Sequence, residues 1–183
     1  MIKYYSIFLK NKGSFKPLAS LIRFIECLEF NHVEILEVTN DDYANAKSYG
    51  VTFSGSRAAS IYDVATDYEL KEIIELNIKS ENPRELLTKL IGVKYSFLQM
   101  GLVGIKISLK SIGKILSNLK VNGQNGLICT EETALFISSA CNYELDQSPE
   151  MYSLRETRSL SYKNMTEGFQ SDSLKIVWDI FNK

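Results

Sequence analysis

The sequence predicts an α+β fold with a mostly antiparallel sheet. Short stretches rich in β-branched and aromatic residues alternate with segments whose apolar residues recur every three or four positions. Apolar residues make up 45% of the 183 residues and charged residues 23%, a balance that supports a packed core. The chain contains neither an internal repeat nor a low-complexity linker, so we expect a single domain over residues 1–183.

Strands are predicted for much of the first 80 residues. Residues 4–9 and 31–38 are rich in β-branched and aromatic residues, which is typical of strands. Between them, residues 17–28 are predicted to form a helix, because Pro17 suits its first turn and the apolar residues that follow have helical spacing. A polar, turn-like segment covers residues 39–49. Further strands are predicted at residues 51–54, 59–64 and 70–79.

Helices are predicted for most of the remaining chain. Their apolar spacing places them at residues 83–91, 96–119, 129–141 and 173–181, with glycines that can break the second one. Residues 142–170 contain few apolar side chains and no regular period. We therefore expect loops there, with at most one strand.

Charge and cysteine content limit the function classes. The net charge is −1 and the basic residues are dispersed, which argues against a nucleic-acid partner. The N-terminus lacks the pattern of a signal peptide, no apolar run is long enough to span a bilayer, and three cysteines cannot all pair. These observations predict a cytoplasmic protein. A chain with one histidine is a poor zinc binder, so we expect no metal or cofactor.

Cys129 is the strongest candidate nucleophile, because it lies where a strand-like segment gives way to a predicted helix. A helix N-terminus favours a thiolate, and its free amide N–H groups can hold an oxyanion. Glu131 and Glu132 in the same turn oppose this effect. The alternative is that Cys129 is a small buried apolar residue, as Cys27 and Cys141 are expected to be.

His32 is the only histidine, and therefore the only imidazole base that a thiol could use. Glu34 follows on the same face of the predicted strand. Two residues along a strand span about 6–7 Å, which is long for a direct hydrogen bond unless both side chains lean together. We therefore expect Glu34 to tune the site. Ser54 and Ser56, from a neighbouring strand, are the candidates for orienting the ring, although such residues are commonly turn formers.

A stripe of Lys106, Lys110 and Lys114 marks one face of the predicted helix at 96–119. It is either a solvated helix face or a surface that touches anionic lipid or a cell-wall polymer.

His32-Val33-Glu34-Ile35, followed much later by Cys129-Thr130-Glu131-Glu132, resembles the permuted NlpC-type, papain-like cysteine hydrolases of the YiiX-like group. The segment 92–101, with Tyr95, is similar to the run that precedes the nucleophile helix there. Segments 50–56 and 72–76 resemble variants often found in bacteriophage genomes. Thr130 replaces the usual serine, Gln99 replaces a glycine, and no clear third catalytic residue follows the histidine strand.

This resemblance implies a circularly permuted papain-like fold whose nucleophile helix follows the sheet. Cys129 would attack a carbonyl, His32 would move the proton, and Tyr95 would lie near the site. Substrates across the superfamily are peptide amides, cell-wall peptides and acyl-lipid bonds.

Three hypotheses follow. The first is a cysteine hydrolase that cleaves an amide, isopeptide or ester. The second is a catalytically degenerate module that binds a host or cell-wall partner. The third is a lipid-directed acyl hydrolase or acyltransferase that docks through the lysine stripe. The sequence does not determine the oligomeric state.

Overall fold

The computed structural model describes residues 1–12, 26–108 and 126–182, and within them it confirms the α+β class. Five strands form one sheet in the order β4-β3-β2-β1-β5, and every neighbouring pair is antiparallel. The strands are β1 (Ile2–Asn11), β2 (His32–Thr39), β3 (Lys47–Thr52), β4 (Gly55–Ser60) and β5 (Tyr68–Glu75). The predicted strands at 4–9 and 31–38 correspond to β1 and β2.

Six α-helices lie within the described residues. They are α1 (Ile61–Asp67), α2 (Pro83–Leu90), α3 (Phe97–Ser108), α4 (Cys129–Ala140), α5 (Leu154–Lys163) and α6 (Lys175–Phe181). The helices predicted at 83–91, 129–141 and 173–181 are confirmed as α2, α4 and α6. Short 3-10 turns lie at Tyr43–Asn45, Pro149–Met151 and Ser171–Leu174.

Apolar side chains on both faces of the central strands are buried beneath helices. One cluster joins β1 and β2 to α1 and α6, and its members include Tyr5, Ile7, Leu36, Val38, Ile61, Val64, Val177 and Phe181. A second cluster joins the sheet to α2, α4 and α5, and includes Tyr4, Ile35, Tyr49, Leu87, Phe136, Ile137 and Leu160. Because α4 packs directly on β2 and β3, the sheet fixes the position of Cys129.

The strands predicted at 51–54 and 59–64 are wrong in their bounds, and the second is wrong in type. The chain forms the β3–β4 hairpin from Lys47 to Ser60 and then turns into α1. Ser60 starts that helix with a capping box, since its hydroxyl accepts from the Asp63 amide while Asp63 accepts from Ser60. This cap outweighs the strand composition of the following residues. The turn-like segment predicted up to residue 49 is also too long.

Two further predictions need correction. The strand predicted at 70–79 ends at Glu75, because Asn77 and Lys79 donate their amide N–H groups to carbonyls of Asn164 and Ala140. The loops predicted at 142–170 contain α5, which begins with a capping box between Ser153 and Glu156.

Some predictions lie outside the described residues. These are most of the predicted helix at 17–28 and the second half of the one at 96–119, including Lys110 and Lys114. Within the described residues, no helix combines the length and the apolar character needed to cross a bilayer.

Candidate active site

Cys129 is the first residue of α4, and a glycine contact fixes the segment that leads to it. Leu127 forms a parallel bridge with Tyr95, and its N–H donates to the carbonyl of Lys94 at 2.7 Å. A Cβ at Gly126 would lie only 3.0 Å from that carbonyl oxygen, so a larger residue would force the two segments apart. Glycine at this position therefore lets the segment that contains Tyr95 lie against the residues that lead into α4.

The N-terminus of α4, next to the Cys129 thiol, has no capping side chain. Ile128, which precedes Cys129, is extended, and no side-chain hydrogen bond caps the helix. The amide N–H groups of the first turn and the positive end of the helix dipole therefore lie next to Cys129. Cys129 itself is partly exposed. This is the environment in which backbone amides can hold a developing negative charge.

His32 is held in place on two sides. Its ring stacks on Tyr68, with centroids 4.9 Å apart and planes 19° apart. Its Nε2 lies 2.9 Å from Oε1 of Glu34, which leaves Nδ1 as the nitrogen that can serve the thiol. The ring is thus fixed by one aromatic face and one carboxylate.

Cys129 and His32 line the same cavity, and the thiol is one of the groups that shift the pKa of the imidazole. Burial opposes the charged form of His32, but interactions with Tyr68 and Cys129, and hydrogen bonds with Cys129 and Glu34, raise its pKa well above the ordinary value.

Glu34 is a buried carboxylate with several partners. Besides His32, it accepts a 2.5 Å hydrogen bond from the Ser48 hydroxyl, and the Arg57 guanidinium lies 3.6 Å away. Burial works to raise the pKa of Glu34, but these partners, with His32 foremost, hold it below the ordinary value. A Cβ at Gly50 would lie 2.3 Å from Cγ of Glu34, so only glycine leaves room for this side chain.

A cavity opens beside the pair, with about 870 Å³ of empty space that includes its opening to solvent. Cys129, His32 and Tyr68 all line it. Phe53 and Tyr95 also line it, and both pack against the exposed ring of Phe97, at centroid distances of 5.6 and 4.8 Å. The pKa of Tyr95 is raised, mainly by burial and then by the nearby Cys129 and Tyr68, so its phenol stays protonated.

Two buried carboxyl groups follow Cys129 on α4. Glu132 is 1% exposed; burial first, and the charge of Glu34 second, raise its pKa to about 8. Its Oε1 accepts from the Ser56 hydroxyl at 3.2 Å, and its Oε2 has no hydrogen-bond partner within the described protein. Burial likewise raises the pKa of Glu131 to about 7, although Gln99 donates to it at 2.8 Å.

The predicted role of Glu34 is corrected by this geometry. The 6–7 Å spacing along β2 suggested that it tunes the site from a distance, whereas its long side chain leans back and contacts the ring directly. Neither serine candidate orients His32. Ser54 is exposed in the turn between β3 and β4, and Ser56 donates to Glu132. Tyr95 lies at the cavity, as the resemblance implied.

Neither Cys27 nor Cys141 lines the cavity. Cys27 is exposed. Cys141 is buried in the core, and burial raises the pKa of its thiol to about 11. Of the stripe, only the backbone of Lys106 lies in the described part of α3.

Three residues of the site were missed by the sequence analysis: Ser48, Arg57 and Tyr68. Ser48 and Arg57 reach Glu34 only through the register of the β2–β3–β4 pairing, which is not visible in sequence. Tyr68 was hidden because the strand was predicted to start at Leu70. Gly50, on the strand next to Glu34, is the one local signal that a bulky group needs space there.

Comparison with known proteins adds no assignment. No protein-family model matches the chain, and no curated protein or solved structure does. Among the described residues, no group of three or more histidine, cysteine, aspartate and glutamate side chains is placed to hold a metal ion.

Proposed function

We propose that the protein is a cysteine hydrolase that cleaves an ester or amide through an acyl-thioester on Cys129. The observation that carries the proposal is that Cys129 and His32 line one cavity, with Nε2 of His32 held by the buried Glu34. Nucleophile, base and orienting carboxylate in this chain of contacts form the arrangement that thiol hydrolases use.

The proposed chemistry needs only groups that the site contains. The Cys129 thiolate attacks the substrate carbonyl, forming a C–S bond, while the first-turn amide N–H groups of α4 stabilise the oxyanion. The C–O or C–N bond between the carbonyl carbon and the leaving group then breaks, and His32 gives its proton to the leaving alcohol or amine. Water then attacks the thioester with His32 as base, which releases the acid and restores the thiolate.

The order of the elements agrees with a permuted papain-like topology, which we include in the proposal. The strand that carries His32 comes early, and the helix that begins with Cys129 follows the whole sheet. Glu34 on the histidine strand then takes the role of the third residue that the motif comparison lacked.

The site supports the hydrolase better than the alternatives. A degenerate binding module does not require the thiol and the imidazole to line the same cavity, and it gives no reason for a buried Glu34 beside the ring. The lipid-docking hypothesis depends on Lys110 and Lys114, which lie outside the described residues.

The first experiment is alkylation of Cys129 by iodoacetamide, followed by peptide mass mapping. A Cys27→Ser background is sufficient, because Cys141 is buried. Near pH 6.5, we expect His32→Ala to slow labelling about tenfold or more, because the imidazolium no longer stabilises the thiolate. Ser54→Ala is the matched control, since Ser54 is exposed, and should label like the parent. Equal rates in all three proteins would contradict the proposal.

The second experiment tests the covalent step. With p-nitrophenyl acetate we expect a burst of p-nitrophenol and a mass gain of one acetyl group on Cys129. Cys129→Ala should show neither. An acetyl group found only on Cys27, lysines or the N-terminus would refute an acyl-thioester at this site.

A further inference from the structure

The cavity beside Cys129 is apolar along the side formed by α3. Met100, Val103 and Ile107 line it from successive turns of that helix, and Ile128 and Leu154 line it from the starts of α4 and α5. Phe53 and Tyr95 add aromatic surface. Cavities of this kind bind the apolar parts of small molecules.

The charged groups of the cavity are already engaged. Glu26 lines it, but its two oxygens accept from the amide N–H groups of Leu154 and Arg155 at 3.1 and 2.9 Å, at the start of α5. His32 is paired with Glu34. No lysine or arginine is among the described residues that line the cavity. A substrate carboxylate, such as that of a cell-wall peptide, would therefore find no unpaired cation among the described lining residues.

Space is left open at one position of α3. Gly104 lines the cavity, and a Cβ built there would meet no heavy atom of the described residues within 4 Å. Gly101, three residues earlier, also has open space around a Cβ, but it is exposed and does not line the cavity. The two glycines therefore form a matched pair on one helix.

We propose that the cavity binds an uncharged, apolar acyl chain, so that the substrate is an ester or amide of a medium- or long-chain carboxylic acid. This inference rests on the proposed function, because it places the carbonyl of that chain at Cys129. The chain remains in the cavity as the acyl-thioester while the alcohol or amine leaves through the opening. Water then releases the free acid.

The test is a series of p-nitrophenyl esters from acetyl to octanoyl, with the leaving group held constant. Each methylene buried in an apolar pocket should raise kcat/KM about fourfold until the cavity is full. A flat dependence on chain length, or a preference for an acyl group that carries a carboxylate, would overturn the inference.

Variants at the two glycines of α3 test whether the dependence of kcat/KM on chain length arises in this cavity. Gly104→Leu fills the cavity, and we expect it to lower the octanoyl-to-acetyl ratio of kcat/KM about tenfold or more. Gly101→Leu has the same change in size and helix propensity but should keep the wild-type ratio. Equal ratios in the two variants would overturn the placement of the chain.

A binding measurement separates this inference from the proposed function. The uncharged apolar fluorophore N-phenyl-1-naphthylamine should bind Cys129→Ala, and adding Gly104→Leu should weaken its binding about tenfold, while adding Gly101→Leu should not. If the dye behaves so but no ester acylates Cys129, the cavity assignment stands and the hydrolase proposal fails. If Cys129 turns over the acetyl ester without chain-length preference or dye binding, only the acyl-chain inference fails.

Discussion

Replacing Glu132 with glutamine should stabilise the protein increasingly as the pH rises. Glu132 is 1% exposed, and burial raises its pKa from 4.5 to about 8. An acid whose pKa is raised by folding stabilises the fold below its unfolded pKa, and that contribution is lost as the pH rises through the folded pKa. Glutamine has nearly the same shape and does not ionise.

The pKa shift of Glu132 determines how large the difference in the free energy of unfolding should be. Each pH unit between 4.5 and about 8 costs the wild type about 1.4 kcal/mol relative to the glutamine variant. The advantage of Glu132→Gln should therefore grow by about 3 kcal/mol between pH 4.5 and pH 7, and level off above pH 8. Ser56 can still donate to the amide oxygen, while the buried amide N–H₂ adds a constant, pH-independent cost of about 1–3 kcal/mol.

Urea unfolding of both proteins across this pH range measures the effect. The free-energy difference between them is the relevant quantity, because the titrations that both proteins share largely cancel. Glu167→Gln, at an exposed position, is the matched control and should show no such growth. A difference that stays constant from pH 5 to pH 8 would show that Glu132 ionises freely in the fold, and the argument from its burial would be wrong.

Three further predictions concern the site and the core. Glu34→Gln should lower kcat/KM about 100-fold or more on any substrate of the proposed hydrolase, because Nε2 of His32 loses its carboxylate partner. Steady-state kinetics would check this, with circular dichroism below the thermal midpoint of the variant to show that it is folded. Gly50→Ala should destabilise the protein by about 1–3 kcal/mol, because its Cβ would lie 2.3 Å from Glu34. Gly101→Ala, which has open space among the described residues, should stabilise it by about 0.5–1 kcal/mol, and urea unfolding measures both changes. Phe136→Ala, at a fully buried position, should cost about 3–5 kcal/mol in the same assay.

The parts of the fold that the sequence predicts are those with a strong local signal. Strands β1 and β2 have continuous β-branched and aromatic composition, and α2, α4 and α6 have helical spacing. The helices that were missed, α1 and α5, begin with capping boxes at Ser60 and Ser153. Their sequence signal was the serine with an acidic residue three positions later, which a search for apolar periodicity does not detect.

The residues of the site likewise fall into those that the sequence predicts and those that it does not. Cys129 and His32 were found because rare residue types at element starts are visible in the chain. The partners that hold Glu34 come from two other strands, so they depend on a register that one sequence does not display. The spacing of Cα atoms along β2 was also a poor guide, because a glutamate side chain can reach back along its own strand when Gly50 leaves space beside it.

Buried polar atoms without hydrogen-bond partners lie in the first two turns of α4 and near them, where they lower the stability of the fold. Within the described residues, three buried side-chain oxygens have no hydrogen-bond partner: Oγ1 of Thr130 and Oε2 of Glu132 and Glu150. Thr130 and Glu132 lie on α4, and the backbone carbonyl of Glu150 accepts from Gln99, which also donates to Glu131.

Each such group costs about 1–3 kcal/mol relative to a satisfied one, and apolar residues of similar size would remove the cost. A helix that served only to pack on the sheet would have no use for polar groups at these positions. Two of the three groups follow Cys129 in the first turn of α4, which is the position expected if this site carries the chemistry that we propose.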